Sequence, residues 1–142
     1  MEVKEDFLAE WYGKFNRMFF FSKLPMPNRI KFIISEDENA EYFGYSKINY
    51  RRGYKEAKEF SDDIFYCICL VAPLLKTEKD VLSVLCHEMI HIWQWEEIDF
   101  EKYSSDYSWL NSHNGSFISK MNNINFVARE DYGLDIEVKL FG

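Results

Sequence analysis

The sequence contains few of the residues that mark fibrous, disulfide-rich or membrane-spanning chains. Its 142 residues include only 6 Gly, 3 Pro and 3 Cys. The low Gly and Pro content excludes collagen-like and low-complexity chains. The longest apolar run, Ile64 to Leu75, is interrupted by Pro73 and is shorter than the roughly 20 residues that a membrane-spanning helix needs. We therefore predict a protein without a membrane segment.

Cysteine usage and net charge narrow the possible compartments and partners. Cys67, Cys69 and Cys86 cannot all pair with one another, and no secretory signal opens the sequence. We therefore expect reduced thiols and a cytoplasmic protein. Burial as small hydrophobic side chains is favoured over a metal role for Cys67 and Cys69. The net charge of −7 argues against tight, sequence-independent binding to nucleic acid.

The residues that are abundant predict one well-packed domain. The chain is 47% hydrophobic and 18% aromatic, which supplies enough apolar surface for a core. Its length is that of a single domain, and no linker or internal repeat divides it. We therefore expect one domain over residues 1–142, and we expect a monomer.

The spacing of apolar residues predicts an α+β fold. Steps of three and four indicate an N-terminal helix, a central helix that begins after a Thr77 capping box, and a C-terminal helix. Consecutive strand-like runs without intervening helices predict a small, mainly antiparallel sheet of about three strands. The alternation in Leu134–Phe141 suggests an edge strand. The predicted helices are Phe7–Phe21, about Glu78–Glu96 and about Gly115–Ala128, and the predicted strands are Ile30–Ser35, Tyr42–Ile48 and Ile64–Val71.

The central helix contains the pattern H-E-x-x-H. His87 and His91 are four residues apart, so their side chains lie one helical turn apart on the same face. Two imidazoles in that arrangement can bind one metal ion. Glu88 lies beside this face, where a carboxylate can take a proton from a metal-activated water without being a ligand.

A third ligand is needed to complete a catalytic zinc site that keeps one position open. His113 is the remaining histidine of the chain and lies just before the predicted C-terminal helix. We therefore predict that His87, His91 and His113 bind one Zn²⁺, although such a site also accepts other first-row ions. Cys86 is the alternative fourth ligand of a structural site. It is disfavoured because it is rotated about 100° from His87 around the helix.

Several segments resemble the SprT-like zinc metallopeptidases, the family that includes the Spartan DNA–protein crosslink protease. The resemblance extends over about Phe7 to Ile124 and implies a zincin-like single domain. It also implies zinc ligands at His87, His91 and His113, with Glu88 as the general base. The matching segments are Phe15–Phe20 with Lys23–Pro25, Phe43–Tyr45, Leu70–Leu75, Val84–His91, and His113–Phe117 with Lys120–Met121.

The sequence also departs from the family pattern. The family's third ligand is followed directly by glycine, whereas Asn114 stands between His113 and Gly115 here. The Val71–Pro73 turn replaces a serine-containing one. No C-x-x-C pair follows the domain, so we expect no C-terminal zinc ribbon. No ubiquitin-binding or clamp-binding tail is recognised either, which weakens any transfer of DNA recruitment.

Two functions remain open on the sequence alone. The first is a zinc-dependent endopeptidase that uses a metal-activated water, with proteins as substrates and DNA-associated proteins among the candidates. The second is a zinc-binding interaction or regulatory module with weak or no turnover. Glu88 favours the first, because a purely structural ion needs no base.

Some residues outside the motif are weaker candidates. Tyr103, Tyr107 and Trp109 lie in a polar, aromatic stretch that we expect to cover the site, and each is a weak candidate to stabilise an oxyanion. Gln94 is a candidate to support His91. A loop with four basic residues could contact nucleic acid, but Glu56 and Glu59 interrupt it and favour a solvated loop. The four are Arg51, Arg52, Lys55 and Lys58.

Overall fold

The computed structural model describes residues 2–50, 58–98, 112, 113 and 115–140. Within these residues it contains three α-helices and a three-stranded sheet, which confirms the α+β fold predicted from the sequence. The helix and strand boundaries lie within four residues of the predicted ones. In chain order the elements are α1 (Glu5–Phe20), β1 (Ile30–Ser35), β2 (Gly44–Ile48), β3 (Tyr66–Val71), α2 (Glu78–Glu97) and α3 (Gly115–Tyr132).

The sheet is mixed, which corrects the prediction that it is mainly antiparallel. The strand order is β1-β3-β2, with β1 parallel and β2 antiparallel to β3. All six residues of β3 are buried, so the most apolar strand takes the central position. The end of β1 and the start of β2 both lie at the same end of β3, where Ser35 faces Val71 and Gly44 faces Leu70. The link between them therefore crosses that end of the sheet.

Aromatic side chains on one face of α1 form a large part of the core. Tyr12 and Phe15 are fully buried, and the Tyr12 ring lies edge-on to Phe32 of β1. The helix ends at Phe20 because Phe21 and Ser22 adopt left-handed backbone conformations, with φ of 54° and 60°. The helix thus ends before Pro25 and Pro27.

The central helix α2 contacts the other helices and the sheet, so most of it is buried. Thr77 and Asp80 form the predicted capping box, in which each side chain accepts a hydrogen bond from the other residue's backbone N–H. From Val81 to Ile92 every residue is buried, including the polar ones. Among the residues that the structure describes, no helix is both long and apolar enough to cross a membrane.

The segment Leu134–Leu140 forms no strand, which corrects the predicted edge strand over the part that the structure describes. It begins after Gly133, whose φ of +57° is one that glycine tolerates, and the Leu134 N–H closes α3 by donating to the Ala128 carbonyl. Ile136 and Val138 are buried, whereas the charged residues that alternate with them, Asp135, Glu137 and Lys139, are exposed. The alternation is therefore real, but the segment packs against helices.

Candidate metal centre

Two histidines lie one above the other on the buried face of α2. His87 and His91 are only 2% and 6% exposed, and their ring centroids are 5.1 Å apart. The helix places them there because residues four apart share one face. The sequence therefore predicted the relation between these two rings correctly.

The third histidine reaches the same point from the N-terminal end of α3. His113 Nε2 lies 3.2 Å from His87 Nε2, and the ring centroid of His113 is 4.7 Å from that of His91. The nearest ligand nitrogens of all three residues lie within 4.8 Å of one another. The structure thus brings together the three residues that the sequence singled out, in a cluster compatible with zinc binding.

The hydrogen bonds of the rings orient the nitrogens toward the centre of the cluster. His87 Nδ1 is 2.7 Å from the Lys139 carbonyl oxygen, and His91 Nδ1 is 2.9 Å from Gln94 Oε1. Both oxygens only accept, so each Nδ1 carries the proton and each Nε2 presents a lone pair. A tetrahedral ion with Zn–N bonds of about 2.0–2.1 Å separates its ligand nitrogens by about 3.3 Å. The 3.2 Å separation between His87 and His113 fits that requirement.

Burial keeps the two helix histidines neutral, which is the state that binds metal. Burial lowers the pKa of His87 to about 4, assisted by neighbouring His113 and opposed by the hydrogen bond to Lys139. Burial likewise lowers the pKa of His91 to about 3, with His87 and His113 acting in the same direction and Gln94 opposing them. Both rings are therefore uncharged at pH 7.

Gln94 links His91 on α2 to the residue that precedes His113. Its Oε1 accepts from His91, while its Nε2 donates to the Ser112 carbonyl at 2.8 Å and to Ser116 Oγ at 3.1 Å. The predicted support of His91 by Gln94 is thus present, and the same side chain also fixes the residue before His113. Phe117 closes one side of the cluster, with its ring centroid 4.6–5.0 Å from those of the three histidines.

Glu88 is buried next to His87, and a serine of the sheet holds its carboxylate in place. Its carboxylate is 2% exposed, and Ser46 Oγ of β2 donates to its Oε1 at 2.9 Å. Burial raises the pKa of Glu88 to about 8, and the Ser46 hydrogen bond opposes that shift. A Cβ atom at Gly44 would lie 2.6 Å from the Cys69 carbonyl oxygen and 3.6 Å from Glu88 Oε2. Glycine at this position therefore allows β2 to lie close against β3, with Glu88 in van der Waals range.

The remaining sequence candidates do not join the cluster where they are described. Cys86 is buried, burial raises the pKa of its thiol, and it is not part of the metal-compatible group, as its position on the helix predicted. Cys67 and Cys69 are buried in β3. Tyr103, Tyr107 and Trp109 lie outside the described residues.

Two partners of the site were missed in the sequence. The first is Ser46, which follows Gly44 by two residues and so lies on the same face of β2. That alternation was a usable signal. The second is the main-chain carbonyl of Lys139, which accepts from a ring 52 positions away and has no signature in the amino-acid type.

A cleft of about 280 Å³ opens beside His87. Its apolar wall comes from the start of β2, the turn before α2 and α2 itself. Charged residues of α2 and of the 134–140 segment also line the cleft. The apolar residues are Phe43, Leu74, Leu75 and Val84, and the charged residues of the segment are Glu137 and Lys139.

Comparison with known families agrees with this geometry. A family model described as SprT-like family matches residues 8–139, nearly the whole chain. The protein is therefore an α+β domain with a histidine cluster compatible with zinc, and it belongs to the SprT-like family. A search of curated proteins found no significant match.

Proposed function

We propose that the protein is a zinc-dependent endopeptidase. In this proposal His87, His91 and His113 hold one Zn²⁺ and Glu88 is the general base. Membership of the SprT-like family and the histidine cluster support it. A divalent cation in such a site supplies a Lewis acid that polarises a carbonyl group and acidifies water.

The state of Glu88 is the observation that carries the proposal. A carboxylate that is 2% exposed is costly to bury, and a purely structural ion would give no reason to keep one beside a ligand. Burial raises the pKa of Glu88 to about 8 in the metal-free protein, and a strongly shifted carboxyl group beside a metal-compatible cluster is typical of a functional site. These properties support a catalytic role over a passive binding module.

The chain's own residues define the proton transfers. Glu88 takes the proton of the attacking water and returns it to the leaving amine. Ser46 donates to Oε1 and so holds the carboxylate in one orientation. The missing side chain at Gly44 leaves space beside Oε2, the oxygen that we assign to proton transfer. Gln94 keeps the His91 ring fixed during the reaction.

The cleft beside His87 supports a protein substrate. Its apolar residues can accept an apolar side chain of an extended polypeptide, while its charged residues remain near solvent. We therefore place one substrate side chain in this cleft. Nucleic acid has little support as a partner, because the net charge is −7 and Lys58, the described member of the basic loop, pairs with Asp62.

The state of the cysteines supports a location in a reducing compartment. All three cysteines are buried free thiols, as expected for the cytoplasmic location proposed from the sequence. We also propose that the protein acts as a monomer.

Substitution of the general base tests the proposal. Glu88→Gln keeps the shape of the side chain, so we expect the zinc content to be unchanged and the cleavage rate to fall by about 10²–10⁴-fold. The measurement is cleavage of casein with and without single-stranded DNA, together with elemental analysis of the same protein. Glu97→Gln, at the exposed end of the same helix, is the matched control and retains full activity.

Two results would contradict the proposed endopeptidase activity. One is a zinc-loaded, unsubstituted protein that cleaves no substrate in either condition, which would favour the zinc-binding module. The other is a Glu88→Gln protein that cleaves as fast as the control, which would remove Glu88 as the base.

A further inference from the structure

The 134–140 segment runs along α2 in register with its turns. Asp135 lies 3.3 Å from Lys79, the Glu137 N–H donates to Ser83 Oγ at 3.0 Å, and the Lys139 carbonyl accepts from His87. Every second residue of the segment thus meets every fourth residue of the helix.

One side chain of α3 fixes the segment just before its contact with His87. Asn125 Nδ2 donates to the Val138 carbonyl at 2.9 Å, and Asn125 Oδ1 accepts from the Val138 N–H at 2.7 Å. Both backbone groups of Val138 are therefore held by one amide, and its side chain is only 2% exposed. The next residue in the chain, Lys139, provides the carbonyl that binds His87.

We propose that Asn125 is a positioning residue for the metal centre. By holding Val138 it places the Lys139 carbonyl, which fixes the His87 ring and keeps the proton on Nδ1 so that Nε2 faces the other histidines. Partners of this kind raise metal affinity because they set the ring orientation and tautomer before the ion arrives. The inference rests on the metal site of the proposed function and is independent of peptidase activity.

The chain contains a matched control for this interaction. Asn16 holds Leu24 by the same two bonds, with its Nδ2 donating to the Leu24 carbonyl at 3.0 Å and its Oδ1 accepting from the Leu24 N–H at 3.1 Å. Asn16 lies on α1 and Leu24 in the turn after it, and these bonds contact none of the three histidines. Asn16→Ala therefore removes an equivalent pair of backbone bonds without altering the Lys139 carbonyl.

The test compares the zinc affinity of the two variants. Affinity is measured by competition with a chromophoric chelator, and the unfolding midpoint of each protein is recorded beside it. We expect Asn125→Ala to bind Zn²⁺ about 10–100-fold more weakly and Asn16→Ala to bind it as tightly as the unsubstituted protein, although both unfold at lower temperature. Ser83→Ala, which removes only the upstream bond to Glu137, serves as a milder second variant and shifts affinity in the same direction.

A second measurement decides the inference without any metal. Heteronuclear NMR of isotope-labelled histidine in the metal-free protein reports which ring nitrogen of His87 carries the proton. We expect the Nδ1–H form in the unsubstituted and Asn16→Ala proteins and a mixture of forms in Asn125→Ala. If the unsubstituted protein binds no zinc, the proposed function fails, and this NMR comparison still tests the positioning of His87.

Either of two results would overturn the assignment. The first is unchanged zinc affinity in Asn125→Ala with an unfolding midpoint lowered as far as in Asn16→Ala, which would make the residue purely structural. The second is a His87 ring that keeps a single Nδ1–H form in metal-free Asn125→Ala.

Discussion

The helices α1 and α2 both bury one face, but with side chains of opposite character. On α1 the buried set is almost entirely aromatic and aliphatic, and its one buried polar side chain, Asn16, binds the backbone of Leu24. On α2 the buried set also includes polar side chains, four of them within the two helical turns that carry the histidines. These are His87, Glu88, His91 and Gln94.

The two kinds of buried face contribute differently, one to the stability of the fold and the other to the chemistry of the site. An apolar face is stabilised by the area it removes from water, without specific partners. Each buried polar group of α2 instead requires a partner from another part of the chain, such as the Lys139 carbonyl for His87 and Ser46 for Glu88. We therefore expect substitutions on the apolar face of α1 to change mainly the free energy of unfolding, and substitutions of these four polar residues of α2 to change mainly metal binding and reaction.

Truncation on α1 should give the largest change in stability. Phe15 is fully buried and its ring lies between those of Trp11 and Phe19, at 5.3 and 5.4 Å. We expect Phe15→Ala to lower the free energy of unfolding by about 3–5 kcal/mol because it leaves a cavity. Chemical denaturation measures the loss, and the folded fraction should still bind one zinc ion. Phe21→Ala, at a ring that is 80% exposed, is the control and should change stability by less than about 0.5 kcal/mol.

Removal of the third histidine should separate metal binding from folding. Structural zinc sites contribute about 10–16 kcal/mol over four ligands, so loss of one ligand should weaken binding by about 10²–10³-fold. His113 is only partly buried, and we therefore expect His113→Ala to remain folded. Zinc titration and circular dichroism measure the two properties. An unchanged affinity would show that His113 is not a ligand.

The smallest of the expected effects is the pH dependence of the free energy of unfolding in the metal-free protein. The pKa of Glu88 is about 8 in the folded protein and 4.5 as its ordinary value, so the folded state binds more protons between these limits. Stability from this group is present below pH 4.5 and is lost as the pH rises through 8. We expect a loss of about 1 kcal/mol between pH 7 and pH 8. Urea denaturation at several pH values measures it.

The histidines impose the opposite slope at lower pH. The pKa of His87 is lowered to about 4 and that of His91 to about 3, so their contribution is complete above about 6.5 and is lost as the pH falls. Glu88→Gln should remove the loss above pH 7 and make the acid limb steeper between about pH 4.5 and 6.5, where the contribution of Glu88 opposes that of the histidines. A variant that still loses stability between pH 7 and pH 8 would assign that slope to another group.

The parts that follow from short-range patterns were predictable from the sequence. Helix α2 and the pairing of His87 with His91 depend on spacings of three and four residues within one element. The capping box at Thr77 marked the start of that helix correctly. The proximity of His113 was also predicted, because a site with two imidazoles needs another ligand and the chain has one further histidine.

The parts that depend on contacts between distant segments were not predictable in the same way. The parallel pairing of β1 with β3 arises because the link after β1 crosses the end of the sheet, and local alternation contains no information on that path. The 134–140 segment alternates like a strand, yet its partners are Ser83, Asn125 and His87 on two helices. Backbone carbonyls leave no trace in residue identity, which is why the Lys139 partner was missed.

The three hydrogen bonds of Gln94 have a consequence for how the chain tolerates change. Because Nε2 holds the Ser112 carbonyl directly against α2, His113 is anchored from the helix that carries its two partners. The distance between the rings is then independent of how many residues connect Ile98 to Ser112. Engineered versions can therefore lengthen, shorten or replace that connection while the same three rings keep their arrangement.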